Sequence, residues 1–240
     1  MQSNIAKLFA SSLLLVSASA FSDDLKVIEL FTSQGCYSCP AADKLIAELA
    51  KQDDRILNLE FHVDYWNKLN YRSEGSWEDP FSKQEYTERQ RQYSALNLRG
   101  NNGVYTPQAV INGTHGEVGS NRGAVSKSLN AAAGQPISVT IGRINDSTLS
   151  VNISGQIDGD AGVYLVNFLK RTQTNVTSGE NHDKMMENHN VVTDMKVIAK
   201  LSEIGNEPLQ VAYSGGENRG CAILVQTTQQ GAILGAARCP

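Results

Sequence analysis

A short apolar run that breaks at a tight turn into Cys-x-x-Cys, and then into helical spacing, constrains this chain more than any other feature. Residues 26–32, Lys-Val-Ile-Glu-Leu-Phe-Thr, read as a strand, and Ser33-Gln34-Gly35 as the turn that ends it. From Cys36 to about Lys51 the period becomes that of a helix. Leu45, Ile46, Leu49 and Ala50 fall on one face, with Asp43, Lys44 and Glu48 on the polar one. Residues 55–63 alternate as a second strand, so the order predicts a parallel βαβ unit with a right-handed crossover. A dithiol at the mouth of such a helix has a defined chemistry. Unpaired amide N–H groups favour thiolate over thiol at the first cysteine. The second, one turn deeper, is placed to resolve a mixed disulfide formed by the first. Cys36 is the expected nucleophile and Cys39 the resolving thiol.

The compartment decides how the four cysteines are read. Lys7 is the only charge in the first twenty residues, Leu8 to Val16 form a short apolar core, and Ala18-Ser19-Ala20 offers small residues to a cut after Ala20. Residues 1–20 therefore read as a cleavable secretory signal, too short to cross a bilayer that needs about 20 apolar residues. Export to the periplasm or the exterior is the expectation, and no later stretch is apolar enough to span a membrane, so the product is expected to be soluble. An oxidising compartment permits disulfides, and four thiols can pair in three ways. Two local pairs, Cys36–Cys39 and Cys221–Cys239, are the economical choice, the second as a structural bond tying the last strands. Covalent haem is excluded because Pro40, not His, follows Cys39. A zinc site lacks a second close ligand pair, so no metal and no cofactor are expected. The rival readings are a static bond in a binding or adaptor protein, and a copper-handling site, since thiols beside His or Met hold Cu(I). A net charge of −4 without a basic tract argues against nucleic acid or an anionic membrane as the partner.

Composition at 40% apolar and 19% charged fits an ordinary packed chain, and its rhythm changes along the length. Residues 64–104 read as an excursion, aromatic and turn-rich from Trp66 to Asp79 and helical from Pro80 to Leu98. Val104 to Asn112 returns to strand character, Asn112-Gly113 signals a hairpin, Gly116 to Gly119 is a short edge, and 121–133 a closing helix. After Gln135-Pro136, residues 137–141 and 149–153 alternate as a hairpin. Ala161 to Lys170, Cys221 to Thr227 and Ala232 to Ala236 read as further strands. Thr172 to Asn190, with His182, Met185, Met186 and His189, reads as a long polar loop or arm. The expected organisation is a signal at 1–20, a first domain at 21–135 with the insertion at about 64–104, and an antiparallel β-domain at 136–240.

Tyr105-Thr106-Pro107-Gln108 opens a later strand, and with the dithiol after the first core strand it resembles the thioredoxin superfamily. Four segments narrow the match: Glu29 to Pro40, Phe61 to Trp66, Val104 to Gln108 and Gly119 to Arg122. With Ser178-Gly-Glu-Asn181, Asn188 to Val192 and Gly231 to Ala237, they resemble an uncharacterised family of secreted bacterial thioredoxin-like proteins. The resemblance implies an α/β thioredoxin-like fold followed by a mostly antiparallel β-domain, α+β overall. It also implies a cis Thr106–Pro107 bond packed against the dithiol, and a docking surface made by Thr106, Pro107, Tyr37 and Ser38. Gly35 stands where thioredoxins usually place Trp, and Tyr37-Ser38 replaces Gly-Pro, so neither redox direction nor partner follows. The expected activity is exchange with protein or small-molecule thiols and disulfides; oligomeric state is not legible. His62 and Asp64, at the end of the second strand, are candidates for a proton shuttle. Trp66, Trp77 and Tyr71 are candidates for a groove wall or for the insertion's own core, and Arg122 is expected to face solvent.

Overall fold

The computed structural model describes residues 25–70, 75–205 and 207–240. The signal expected at 1–20 and Tyr71 lie outside these. Lys26–Thr32 (β1) runs parallel to Ile56–His62 (β2), and helix Cys39–Gln52 (α1) joins them. Gln84–Ala95 (α2) follows, then the two-residue strand Arg99–Gly100 (β3). Gln108–Ile111 (β4) lies antiparallel to β1 and turns back into His115–Val118 (β5). Asn112 and Gly113 have φ of 46° and 68° in that turn, the left-handed pair that an Asn-Gly hairpin favours. Arg122–Ala131 (α3) completes this half, capped by the Asn121 side chain on the Ala124 amide.

Ser138–Asn145 (β6) and Thr148–Ser154 (β7) form the expected hairpin. Two strands of 16 and 17 residues come next, Ala161–Val176 (β8) and Lys184–Lys200 (β9). Leu209–Ala212 (β10) pairs with β7, and Arg219–Thr227 (β11) with both β8 and Ile233–Arg238 (β12). Nine strands make one sheet in the order β12-β11-β8-β9-β2-β1-β4-β5-β3, and β10-β7-β6 a second. The small sheet packs Val139, Leu149 and Val151 on Val163, Leu165 and Ile223 of the large one.

Two expectations change. The segment 172–190 is not a loop: it is the far half of the β8–β9 hairpin, with Thr174 opposite Met186 and Thr172 opposite Asn188. Its polar side chains find a polar partner surface, so the apolar alternation that marks a core strand is missing. The boundary expected at 135/136 does not separate two sheets either. β9 joins β2 where Val191 faces Glu60, and Val166, Phe168, Ala222 and Leu224 share one core with Phe31, Leu57 and Phe61.

The faces of β1 and β2 set up the site. Val27, Phe31, Leu57, Leu59 and Phe61 point toward α2 and bury its Tyr86 and Tyr93. Ile28 and Leu30 point the other way, against Leu45, Ile46 and Leu49 of α1 and Val125 of α3. On that second face β2 contributes Asn58, Glu60 and His62, polar residues that are nonetheless buried. Across from them, toward α2, Glu29 is also buried and is matched by Arg89, whose Nε donates to Glu29 Oε1 at 2.7 Å.

The candidate dithiol site

Cys36 and Cys39 form a disulfide across the turn between β1 and α1. Two backbone bonds shape that turn: Cys36 N–H donates to Ser33 O at 3.1 Å and Cys39 N–H to Cys36 O at 3.2 Å. The helix begins at Cys39 rather than at the expected Cys36, with Pro40 in its first turn, where a missing N–H costs nothing. Gly35 is small because the Trp66 side chain lies over it; a Cβ there would sit 3.3 Å from that of Trp66 and 3.9 Å from the Trp77 carbonyl. Trp66 reaches onward, its indole N–H donating to Thr106 Oγ1 at 2.7 Å. The Thr106–Pro107 bond is cis. Pro107 and Ala42 of α1 both bound the space beside Gly119, where a Cβ would sit 3.4 and 3.1 Å from their own. Thr106 and Pro107 are thus brought to the dithiol end of α1. Tyr37 and Ser38 are exposed, Tyr37 at 68%.

The sulfurs themselves are covered. Cys36 and Cys39 are both at 0% exposure, against the expectation of a reachable nucleophile. The turn between β8 and β9 packs on this segment, its Asn181 side chain donating to the carbonyls of Gln34 and Cys36 at 2.9 Å each.

Beneath the dithiol lies a buried polar cluster. Thr32 Oγ1 donates to Asp43 Oδ1 at 2.7 Å, Asn188 Nδ2 to Asp43 Oδ2 at 3.3 Å, and Gln34 Nε2 to Asn188 Oδ1 at 3.0 Å. Asp43 is 1% exposed rather than on a wet helix face. Burial, and then the neighbouring Glu60, push its carboxyl well above the usual range. His62 Nδ1 lies 2.7 Å from Asp79 Oδ2, with both side chains fully buried. Burial works against the imidazolium, but Asp79 and then Glu60 outweigh it, and the pKa of His62 rises to about 10. Burial pushes Asp79 up, but the His62 charge together with the hydrogen bonds from His62 and from the Gln34 and Phe81 amides holds it below its usual range. Glu60 Oε2 and His62 Nε2 face each other at 3.7 Å, and neither atom has a hydrogen-bond partner among the described residues.

Of the two expected shuttle residues, the fold brings His62 into this cluster and leaves Asp64 out. Asp64 Oδ1 instead accepts the Thr87 hydroxyl at 2.5 Å on α2. Asp43, Glu60, Asp79, Asn181 and Asn188 were not foreseen. The readable signal was Asn58, Glu60 and His62 at alternate positions of an otherwise apolar strand. Arg122 is exposed at the start of α3, as expected, and pairs there with Glu48 at 2.6 Å.

Cys221 and Cys239 form the second disulfide, between β11 and the chain end. His189 pairs with Glu187 at 3.0 Å and His182 with Asp183 at 3.5 Å. Met185 and His189 line an open cavity of about 680 Å³ together with Pro40 and Lys44 of α1. Among the described residues no group of three His, Cys, Asp or Glu is arranged to hold a metal ion, and no helix is long and apolar enough to cross a membrane.

Residues 27–226 match a family described as "Protein of unknown function (DUF1223)". Among solved structures, a structural-genomics target from Agrobacterium tumefaciens is 31% identical with a TM-score of 0.69, over 89% of this chain and 93% of that one. A domain of the outer membrane lipoprotein Omp28 from Porphyromonas gingivalis aligns at 13% identity and a TM-score of 0.21, over 44% of this chain and 87% of that one. No curated protein matches in sequence.

Proposed function

The chain belongs to the DUF1223 family, whose description assigns no activity, and we propose that it is an exported thiol–disulfide oxidoreductase on a thioredoxin-like scaffold. One observation carries the reading: a disulfide closes the turn at the mouth of α1, beside Thr106 and Pro107 and over a buried cluster of ionisable groups. The scaffold is supported by the run β2-β1-β4-β5, in which β2 is parallel to β1 and β4 antiparallel. Export is supported by the signal-like residues 1–20 and by oxidation of all four cysteines.

In the reducing direction, the Cys36 thiolate attacks one sulfur of a substrate disulfide. A mixed disulfide forms and the first substrate thiolate leaves. Cys39 loses its proton and attacks Cys36 Sγ, so the 36–39 bond closes, the second substrate thiolate leaves, and two electrons have passed to the substrate. The reverse sequence oxidises a substrate dithiol. Asp43, four residues after Cys39 on the same helix face, is the proton-holding group. It gives its proton to Cys39 as the bond opens and takes one back as it closes. His62 and Asp79 hold the polar floor on which this occurs. Tyr37 and Ser38, exposed at the turn, and Thr106 and Pro107 shape the docking surface for a protein or small-molecule disulfide.

Complete burial of both cysteines favours a second reading, a static bond in a binding protein. Mixing the reduced protein with a disulfide substrate separates the two. Exchange that is abolished by Cys36→Ser, and halted as a trapped mixed disulfide by Cys39→Ser, supports the enzyme. Absence of exchange, or exchange indifferent to Cys36→Ser, sinks it.

A further inference from the structure

Helix α1 begins without an acidic residue in its first turn, and its N-cap Ser38 makes no side-chain capping bond. The negative group at this helix end comes from far along the chain. The turn between β8 and β9 is pinned onto the dithiol by three contacts. Ser178 Oγ donates to the Ser76 carbonyl at 2.7 Å, Gly179 at φ +75° lies against Trp77, and buried Asn181 holds the Gln34 and Cys36 carbonyls. Pinned in this way, Glu180 Oε2 accepts the Tyr37 amide N–H at 2.8 Å. That amide directly follows Cys36 and is among the donors at the helix mouth that stabilise a thiolate there. Glu180 therefore engages one of those donors and also sets a carboxylate next to the place where the thiolate charge develops.

We propose that Glu180 is a positioning residue that holds down the ionisation of Cys36 and biases the pair toward the disulfide. The proposal rests on the reading of Cys36 as the nucleophile. Other charges face the same spot. The Lys184 ammonium lies 4.5 Å from the centre of the Tyr37 ring, but it donates to Asn181 Oδ1 at 2.8 Å. Asp79 approaches from below through the Gln34 amide, at 2.7 Å, with its charge matched by His62. Asp43 lies deeper, its carboxyl pushed up by burial. Among the described residues, Glu180 is thus the carboxylate whose charge is not matched by a hydrogen-bonded cation at the turn.

A structural cap and an electrostatic brake differ in one respect, which the test exploits. Glu180→Gln keeps an acceptor for the Tyr37 amide and removes the charge; Glu180→Ala removes both. The measurement is the pH dependence of Cys36 alkylation by iodoacetamide in the fully reduced chain, read at the Cys36 peptide, with a thermal melt confirming the fold. The expected result is an apparent Cys36 pKa lower by about one unit in Glu180→Gln, a tenfold larger ionisation constant. A glutathione equilibrium shifted toward the dithiol should accompany it. A Cys36 titration unchanged or raised in Glu180→Gln overturns the proposal, leaving Glu180 a cap only. The readout needs no turnover: a chain without exchange activity whose Cys36 titration still moves costs the proposed function and keeps the role of Glu180.

Discussion

Asp79→Asn probes the ion pair under the dithiol. Asp79 Oδ2 lies 2.7 Å from His62 Nδ1 and accepts the Gln34 amide at the same distance, while Oδ1 accepts the Phe81 amide at 3.0 Å. The imidazolium is opposed by burial but carried by Asp79 and Glu60 to a pKa of about 10, against about 6.5 in an unfolded chain. The folded state thus keeps a proton that the unfolded state gives up. This stabilisation is whole below about pH 6.5, and it declines as pH rises until it is gone above about 10. At 1.36 kcal/mol per unit it amounts to about 4 kcal/mol at pH 7, in line with the ~3–5 kcal/mol lost when a buried pair is broken. The amide has one oxygen where the carboxylate has two, so it still accepts from one of the Gln34 and Phe81 amides but not from both; with the Asp79 charge gone, the His62 pKa falls. Urea unfolding of wild type and variant from pH 6 to 10 is the assay. The variant should lose up to about 4 kcal/mol of ion-pair stabilisation at pH 7, roughly 8–16 °C in Tm for a chain of this size, and at pH 10 the gap should shrink to the roughly 1–3 kcal/mol left by the unpaired amide N–H. A loss under about 1 kcal/mol at pH 7, or an equal loss at both ends, refutes the reasoning.

Asp43→Asn should change stability at pH 7 by less than about 1 kcal/mol, because burial already opposes the ionised carboxyl and the amide has the same shape. It should slow Cys39 attack on a trapped Cys36 mixed disulfide by about a hundredfold, the low end for a positioned proton-transfer group; stopped-flow release of a chromogenic thiol measures it. Arg89→Met leaves Glu29 and the Tyr93 hydroxyl it binds buried without their cation. The expected cost is about 3–5 kcal/mol in urea unfolding, much of it recovered in the double variant Glu29→Leu/Arg89→Met. The double variant Cys221→Ser/Cys239→Ser opens a bond of sequence separation 18. It should cost about 3 kcal/mol by loop entropy and leave the rate of exchange at Cys36 unchanged.

What could be read in advance was local. The strand from Lys26, the turn and the helix after Cys39 each carry their own periodicity, and Asn112-Gly113 names its own turn. The hairpin beyond Lys170 was illegible because its partner is not apolar. Thr174 and Asn188 bond to Gln34, so the residues that look like loop are those that fit a polar cradle. Asp43 shares the charged composition of Lys44 and Glu48, yet meets Thr32 and Asn188 in the interior. Burial of an acid depends on what packs over it, here Asn188 of β9, 145 residues away in the chain. Asp79 before Pro80 has the spelling of a turn, and only the fold gives it His62. Glu29 and Arg89 pair across 60 positions, a match that no local pattern contains.

The reduction potential of the Cys36–Cys39 pair, measured against glutathione redox buffers with Cys221–Cys239 intact, tests the central claim most directly. An exchanging dithiol should come to equilibrium between about −270 and −120 mV, the range of catalytic pairs. A bond that stays closed below about −300 mV, as structural disulfides do, would contradict it.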